Sequence, residues 1–163
     1  MQTTTTQTEL LVKMTITAWD VQNNQFHKLL NELTDEQLYK QIAPGKNRGI
    51  YLLGHLIAVS DAVLPLLDFS ELLFPELQAV FIKNPDNPAQ EMPSITTLKE
   101  NLQAVNAKLN EHIKATTAAQ WLERHTAITP EAFINEPHRN KLNVIISRTN
   151  HMANHLGQLL LLK

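Results

Sequence analysis

The chain has 163 residues, of which 43% are hydrophobic, 18% charged and 6% aromatic. That length suits one domain with its own core, and a net charge of −2 from 14 basic and 16 acidic residues offers no basic footprint for a nucleic-acid partner. The lack of cysteine excludes disulfides, thiolate metal sites and a cysteine nucleophile, while four glycines are too few for a phosphate-cradling loop or a turn-rich β fold.

Met1–Gln7 carries neither the basic nor the apolar region of a secretory signal, so the expected setting is cytoplasmic. Residues 1–7 read as a flexible tail and 8–163 as a single domain. Leu11, Met14, Ala18 and Val21 recur at helical steps, and Trp19 and Phe26 thicken that side. Leu29, Leu30 and Leu33 extend the stripe, giving a first helix over about 8–32. Thr34-Asp35-Glu36-Gln37 has capping-box spacing for one short turn, which Ala43-Pro44-Gly45 ends.

A second helix runs over about 47–64 and is loosened by Pro65. Its apolar stretch from Ile50 to Leu67 has nearly the length of a membrane span, yet it holds His55, Ser60, Asp61 and Pro65. It reads as the central helix of a bundle, and no membrane partner is expected. Residues 68–81, with Leu72, Leu73, Leu77 and Phe81, are expected to form a short extra helix. Pro85, Pro88 and Pro93 then impose a loop. Ser94 or Thr97 caps a third helix whose Ile95, Leu98, Leu102, Val105 and Leu109 follow helical steps as far as about Lys114. Residues 116–139 are irregular, with one helical stretch near 120–125 and breaks at Pro130 and Pro137. A fourth helix begins near Arg139 and runs to the C-terminus. No segment alternates as a strand does, so the fold class is all-α, a four-helix bundle whose later connections could cross it.

The chemistry concentrates on the fourth helix, in Arg148-Thr149-Asn150-His151-Met152-Ala153-Asn154-His155-Leu156-Gly157-Gln158. His151 and His155, four positions apart, stand one above the other on one face and could reach one divalent ion. Arg148 and Gln158 fall on the same face. Two solvated histidines, or core histidines satisfied by backbone, would give the same spacing. His55 lies in Leu52-Leu53-Gly54-His55-Leu56, where an imidazole loses water and needs a metal, a carboxylate or a carbonyl in compensation. Gly54 and Gly157 each adjoin one of these histidines and could permit close backbone approach. His27 reads as exposed, His112 as a cap of the third helix, and His125 and His138 as loop residues. Met14, Trp19 and the aromatics between Phe69 and Phe81 read as core. Neither Glu-x-x-His nor His-Glu-x-x-His occurs, which removes di-iron and zincin sites.

With Ala43-Pro44-Gly45-Lys46-Asn47-Arg48 leading into Leu52-Leu53-Gly54-His55-Leu56, and with the Arg148–Gln158 stretch, the sequence resembles the DinB/YfiT-like family of four-helix-bundle metalloproteins. The resemblance covers nearly the whole chain. It implies a divalent metal, zinc or nickel, held by His55, His151 and His155, along with crossed connections and a homodimer. It also implies, ahead of hydrolysis by activated water, a reaction in which a low-molecular-weight thiol meets a small electrophilic substrate. On that reading Arg148 orients an anionic group as the candidate catalytic residue, and Asn154 or Gln158 holds a histidine tautomer. The alternative is a bundle that binds metal or a small molecule without catalysis.

Overall fold

In the computed structural model, which describes residues 6–163, the chain enters its first helix through Thr6. The Thr6 hydroxyl accepts from the Glu9 amide at 3.2 Å, and the Glu9 carboxylate accepts from the Thr6 amide at 2.7 Å. This capping box starts α1 (Gln7–Glu32). Of the expected tail, residues 1–5 lie outside the described residues, Thr6 is a cap and Gln7 is already helical. A second capping box, of Thr34 and Gln37, starts α2 (Asp35–Tyr39), where the sequence spacing places it. The chain then turns at Gly45, whose φ of 72° favours a residue without Cβ.

Helix α3 (Gly49–Asp61) is apolar round its whole circumference because it has neighbours on every side, packing against α2, α5, α6 and α9. It breaks at Ala62 and resumes as α4 (Val63–Leu66). Together they form, among the described residues, the one stretch long and apolar enough to cross a membrane, and 78% of it is buried inside the protein. Its apolar surface faces the core.

The expected helix over 68–81 shrinks to α5 (Leu77–Phe81). Asp68 takes a φ of 60°, which ends the preceding helix, and Pro75 lacks an amide hydrogen. The fully buried Asp61 accepts from the Leu73 and Phe74 amides, each at 2.9 Å, and so fixes the intervening segment in a non-helical path. In the proline loop, Asp86 receives Arg48 in a nearly buried ion pair at 2.6 Å and also accepts the Arg48 amide at 2.7 Å. This ties the loop to the start of α3.

Ser94 caps α6 (Ile95–Ala115), which packs on α3 and buries Leu98, Leu102, Val105 and Leu109. Short helices α7 (Ala118–Trp121) and α8 (Pro130–Asn135) lie in the segment expected to be mostly irregular. Pro130 does not break a helix there but begins one, since the first helical position needs no amide donor. Asn140 caps α9 (Lys141–Leu159), and a 3-10 turn (Leu160–Leu162) follows. Gln37 Nε2 donates to the Leu162 carbonyl at 2.8 Å, which fastens that end to α2. Helix α9 packs along α1 and against α3. No named strand occurs among the described residues, where pairing is limited to two isolated bridges.

The stripe read from α1 needs correction. Its buried residues are Thr15, Trp19, Phe26, Leu29 and Leu30, with Val12 and Ile16 packed alongside. Leu11, Met14, Ala18 and Val21 face outward, with Met14 63% exposed. The helix carries two apolar faces about one residue apart in register, and spacing alone does not say which is covered. Leu11, Met14 and Ala18 join Ile146 of α9 in an apolar surface groove of about 260 Å³.

Candidate metal centre

Helix α3 supplies His55, and α9 supplies His151 and His155 one turn apart. The contact between these two helices brings the three rings together, and one nitrogen from each lies within 4.8 Å of the others. Nε2 of His151 is 3.0 Å from Nε2 of His155 and 3.3 Å from Nε2 of His55. The rings stand nearly edge-on to one another, with interplanar angles of 70°, 78° and 87°.

Two of the rings are oriented from behind. The Phe81 carbonyl is 2.8 Å from His55 Nδ1. A carbonyl can only accept, so Nδ1 carries the hydrogen and Nε2 presents a bare lone pair. Gln158 Oε1 does the same for His155 Nδ1 at 2.7 Å. Nδ1 of His151 is buried without a partner, so its one hydrogen could sit on either nitrogen. Without a cation, two lone pairs converge on His151 Nε2, which has one hydrogen at most to share between them. A cation would satisfy all three at once.

The spacing fits such an ion. Two nitrogens each about 2.0–2.1 Å from one metal lie about 2.9–3.4 Å apart in octahedral or tetrahedral coordination. The two Nε2 separations of 3.0 and 3.3 Å fall within that range. At His55 and His151 the surroundings favour the neutral form that ligation requires. Burial lowers the pKa of His55, an effect that the Phe81 carbonyl partly offsets. Burial pushes His151 down to about 4, helped by the charges of His155, His55 and Arg148.

Packing puts the Phe81 carbonyl in place. A Cβ on Gly54 would come within 2.3 Å of the Phe81 ring, so glycine lets the end of α5 settle onto α3. Tyr51, one turn before His55, lies parallel to its ring at 6.2 Å and donates to the Asn84 carbonyl at 2.8 Å. Sequence spacing gave no sign of Phe81, which is 26 positions from His55. The glycine beside the histidine was the available clue. Gly157 has no such role, since a Cβ there would meet nothing within 4 Å.

Asn154 is exposed, and among the described residues no hydrogen bond ties it to a histidine. Arg148 stands one turn before His151, partly buried, with its Nε buried and unpartnered. Asp61 is committed to the 73–74 amides and plays no part at the three rings.

The remaining histidines lie elsewhere. His27 is not fully exposed as expected but is partly buried, 2.8 Å from the Asn106 amide nitrogen. The ring of His112 does not cap α6 but stacks on Phe69 at 4.8 Å. His125 Nδ1 accepts from the Ala127 amide at 3.2 Å, and His138 is exposed. A surface cleft of about 390 Å³, lined by Asp68, Glu123, Arg124, Thr126, Phe133 and Lys141, contains none of the three clustered histidines.

No curated protein shows a significant match to the chain. The sequence profile of the DinB superfamily matches residues 18–159, a span that takes in the three clustered histidines and the helices that carry them. The chain therefore belongs to the DinB superfamily.

Proposed function

We propose that the protein is a metal-dependent enzyme that activates a low-molecular-weight thiol, or alternatively water, against a small electrophilic substrate. The observation that carries this reading is the convergence of three imidazole Nε2 atoms with no carboxylate among them. Three nitrogen ligands leave a position for an exogenous group, as catalytic rather than structural sites do. When bound, a zinc- or nickel-like ion would supply Lewis acidity and lower the pKa of a thiol or water beside it.

In this reading His55, His151 and His155 hold the ion. The Phe81 carbonyl and Gln158 fix two of the rings in the tautomer that offers Nε2. Arg148, one turn before His151, is the residue that meets the substrate. The three histidines are each only partly buried, so an external ligand has a way in. The proposal extends to a cytoplasmic setting, which suits a chain without cysteines. It also extends to a homodimer, supported by the outward apolar groove of Leu11, Met14, Ala18 and Ile146.

A non-catalytic metal-holding bundle is the second reading. It is favoured by the 390 Å³ cleft, whose lining includes none of the three histidines. Elemental analysis of the purified, untagged chain tests the common premise. About one divalent ion per chain is expected, lost in each of His55→Ala, His151→Ala and His155→Ala. Metal-free protein with undiminished stability in all three variants would refute it. Turnover with thiol-plus-electrophile pairs, or with esters and amides, then separates enzyme from carrier.

A further inference from the structure

Charge at the three-histidine cluster is unbalanced. The three histidines are neutral ligands and bring no negative charge to an ion between them. The ionic groups that act on His55 and His151 are the other histidines and Arg148, with no carboxylate among them. Arg148 itself has no ion-pair or hydrogen-bond partner among the described residues, although its Nε is buried. A partly buried guanidinium normally finds a carboxylate, because leaving it unpaired leaves the cost of its desolvation uncompensated. Here the chain provides none, and a divalent ion one turn away would raise the positive charge further.

We propose that Arg148 is the specificity-determining residue of the site and that the substrate or thiol co-substrate carries a carboxylate that pairs with it. The guanidinium presents paired N–H groups that match a carboxylate, while the reactive end of the same molecule lies toward the three Nε2 atoms. A neutral thiol or electrophile of the same size would leave the arginine unpaired. This inference rests on the metal-site reading for the placement of the reactive end, and on Arg148 alone for the choice of charge.

The test compares 3-mercaptopropionate with 2-mercaptoethanol, two small thiols that differ in carboxylate against hydroxyl. Calorimetric titration of the zinc-loaded full chain should show the carboxylated thiol binding about tenfold more tightly. Arg148→Gln should abolish that preference, and Arg148→Lys, which keeps the charge but not the fork, should retain part of it. Zinc content is measured in each variant, and equal content shows that the cluster is intact. The same preference in wild type and either variant would overturn the proposal.

A second arm uses metal-free protein, with propionate against its neutral isostere propionamide. Thermal protection by propionate alone, present in wild type and lost in Arg148→Gln, supports the anion subsite even if the chain takes up no metal. Failure of the metal reading thereby stays distinct from failure of this one. No difference between propionate and propionamide in wild type would sink the subsite.

Discussion

The two walls of the histidine cluster are built differently. On the α3 side, His55 stands in a helix with neighbours on every face, its ring held by a main-chain carbonyl that the packing of Phe81 against Gly54 puts in place. On the α9 side, the pair lies on an amphipathic helix where His155 is held by the Gln158 side chain and His151 has nothing behind its Nδ1. One wall is fixed by the core, and the other by a surface amide. The first can be disturbed only by disturbing the fold, whereas the second can be loosened with the fold left standing.

The largest effect is therefore expected at Gly54. Gly54→Val would drive a branched side chain into the Phe81 ring, where even a Cβ comes within 2.3 Å. A loss of about 3 kcal/mol is expected, at the upper end of overpacking costs. Gly54→Ala should lose less, because alanine gains back about 1 kcal/mol of helix propensity. In both variants stability and metal affinity should fall together, since the same displacement moves the Phe81 carbonyl away from His55. Chemical denaturation alongside competition with a metal indicator would check this. A Gly54→Val protein of unchanged stability would show that the α3 wall is not fixed by this packing.

Gln158→Ala sharpens the contrast. Metal affinity should drop about 10–100-fold, the usual consequence of removing the partner that orients a ligating histidine. Stability in the metal-free state should change by less than about 1 kcal/mol, because the bond lies on a partly exposed surface. Affinity and stability would then part company on α9 where they move together on α3. Equal losses in both quantities would erase the distinction between the walls.

Much of this site was legible because helical spacing is a strong constraint. His151 and His155 at four positions must share a face, and an imidazole among Leu52, Leu53 and Leu56 must find a partner. The supports behind the rings divide by distance along the chain. Gln158 lies three positions from His155 and could be named from spacing, whereas Phe81 reaches His55 through a loop whose course depends on Asp61. A buried carboxylate that captures two amides twelve and thirteen positions away overrides the local helical pattern of residues 68–76, and periodicity has no access to it. The same limit explains α1, where two apolar stripes compete and only the position of α9 decides which one the core covers.

Acidification should affect both walls in one direction. Burial holds His55 below its ordinary value, and His151 falls from 6.5 to about 4. A histidine with a depressed folded pKa binds its proton first in the unfolded chain, so acid favours unfolding. Metal-free protein should have its full stability above pH 6.5 and lose the contribution of His151 as the pH falls from 6.5 towards 4. Metal should leave over the same descent, because protons compete for the same lone pairs. Denaturation midpoints and bound metal measured across that window would check both trends. Stability that rises on acidification from neutral pH would contradict the lowered values of the partly buried His55 and His151.

The smallest effect is expected at Asn154, and it bears on how far the looser wall extends. This residue lies between the two α9 ligands in sequence, next to His155, yet it is exposed and reaches neither ring. If orientation on α9 depends on the one amide that touches Nδ1, Asn154→Ala should change metal affinity by less than about twofold and stability by under about 0.5 kcal/mol. Gln158→Ala measured alongside supplies the scale. A loss at Asn154 comparable to that at Gln158 would mean that the polar surface of α9 holds the pair collectively. His151, which has no fixed partner behind its ring, would then be oriented by the same surface as His155.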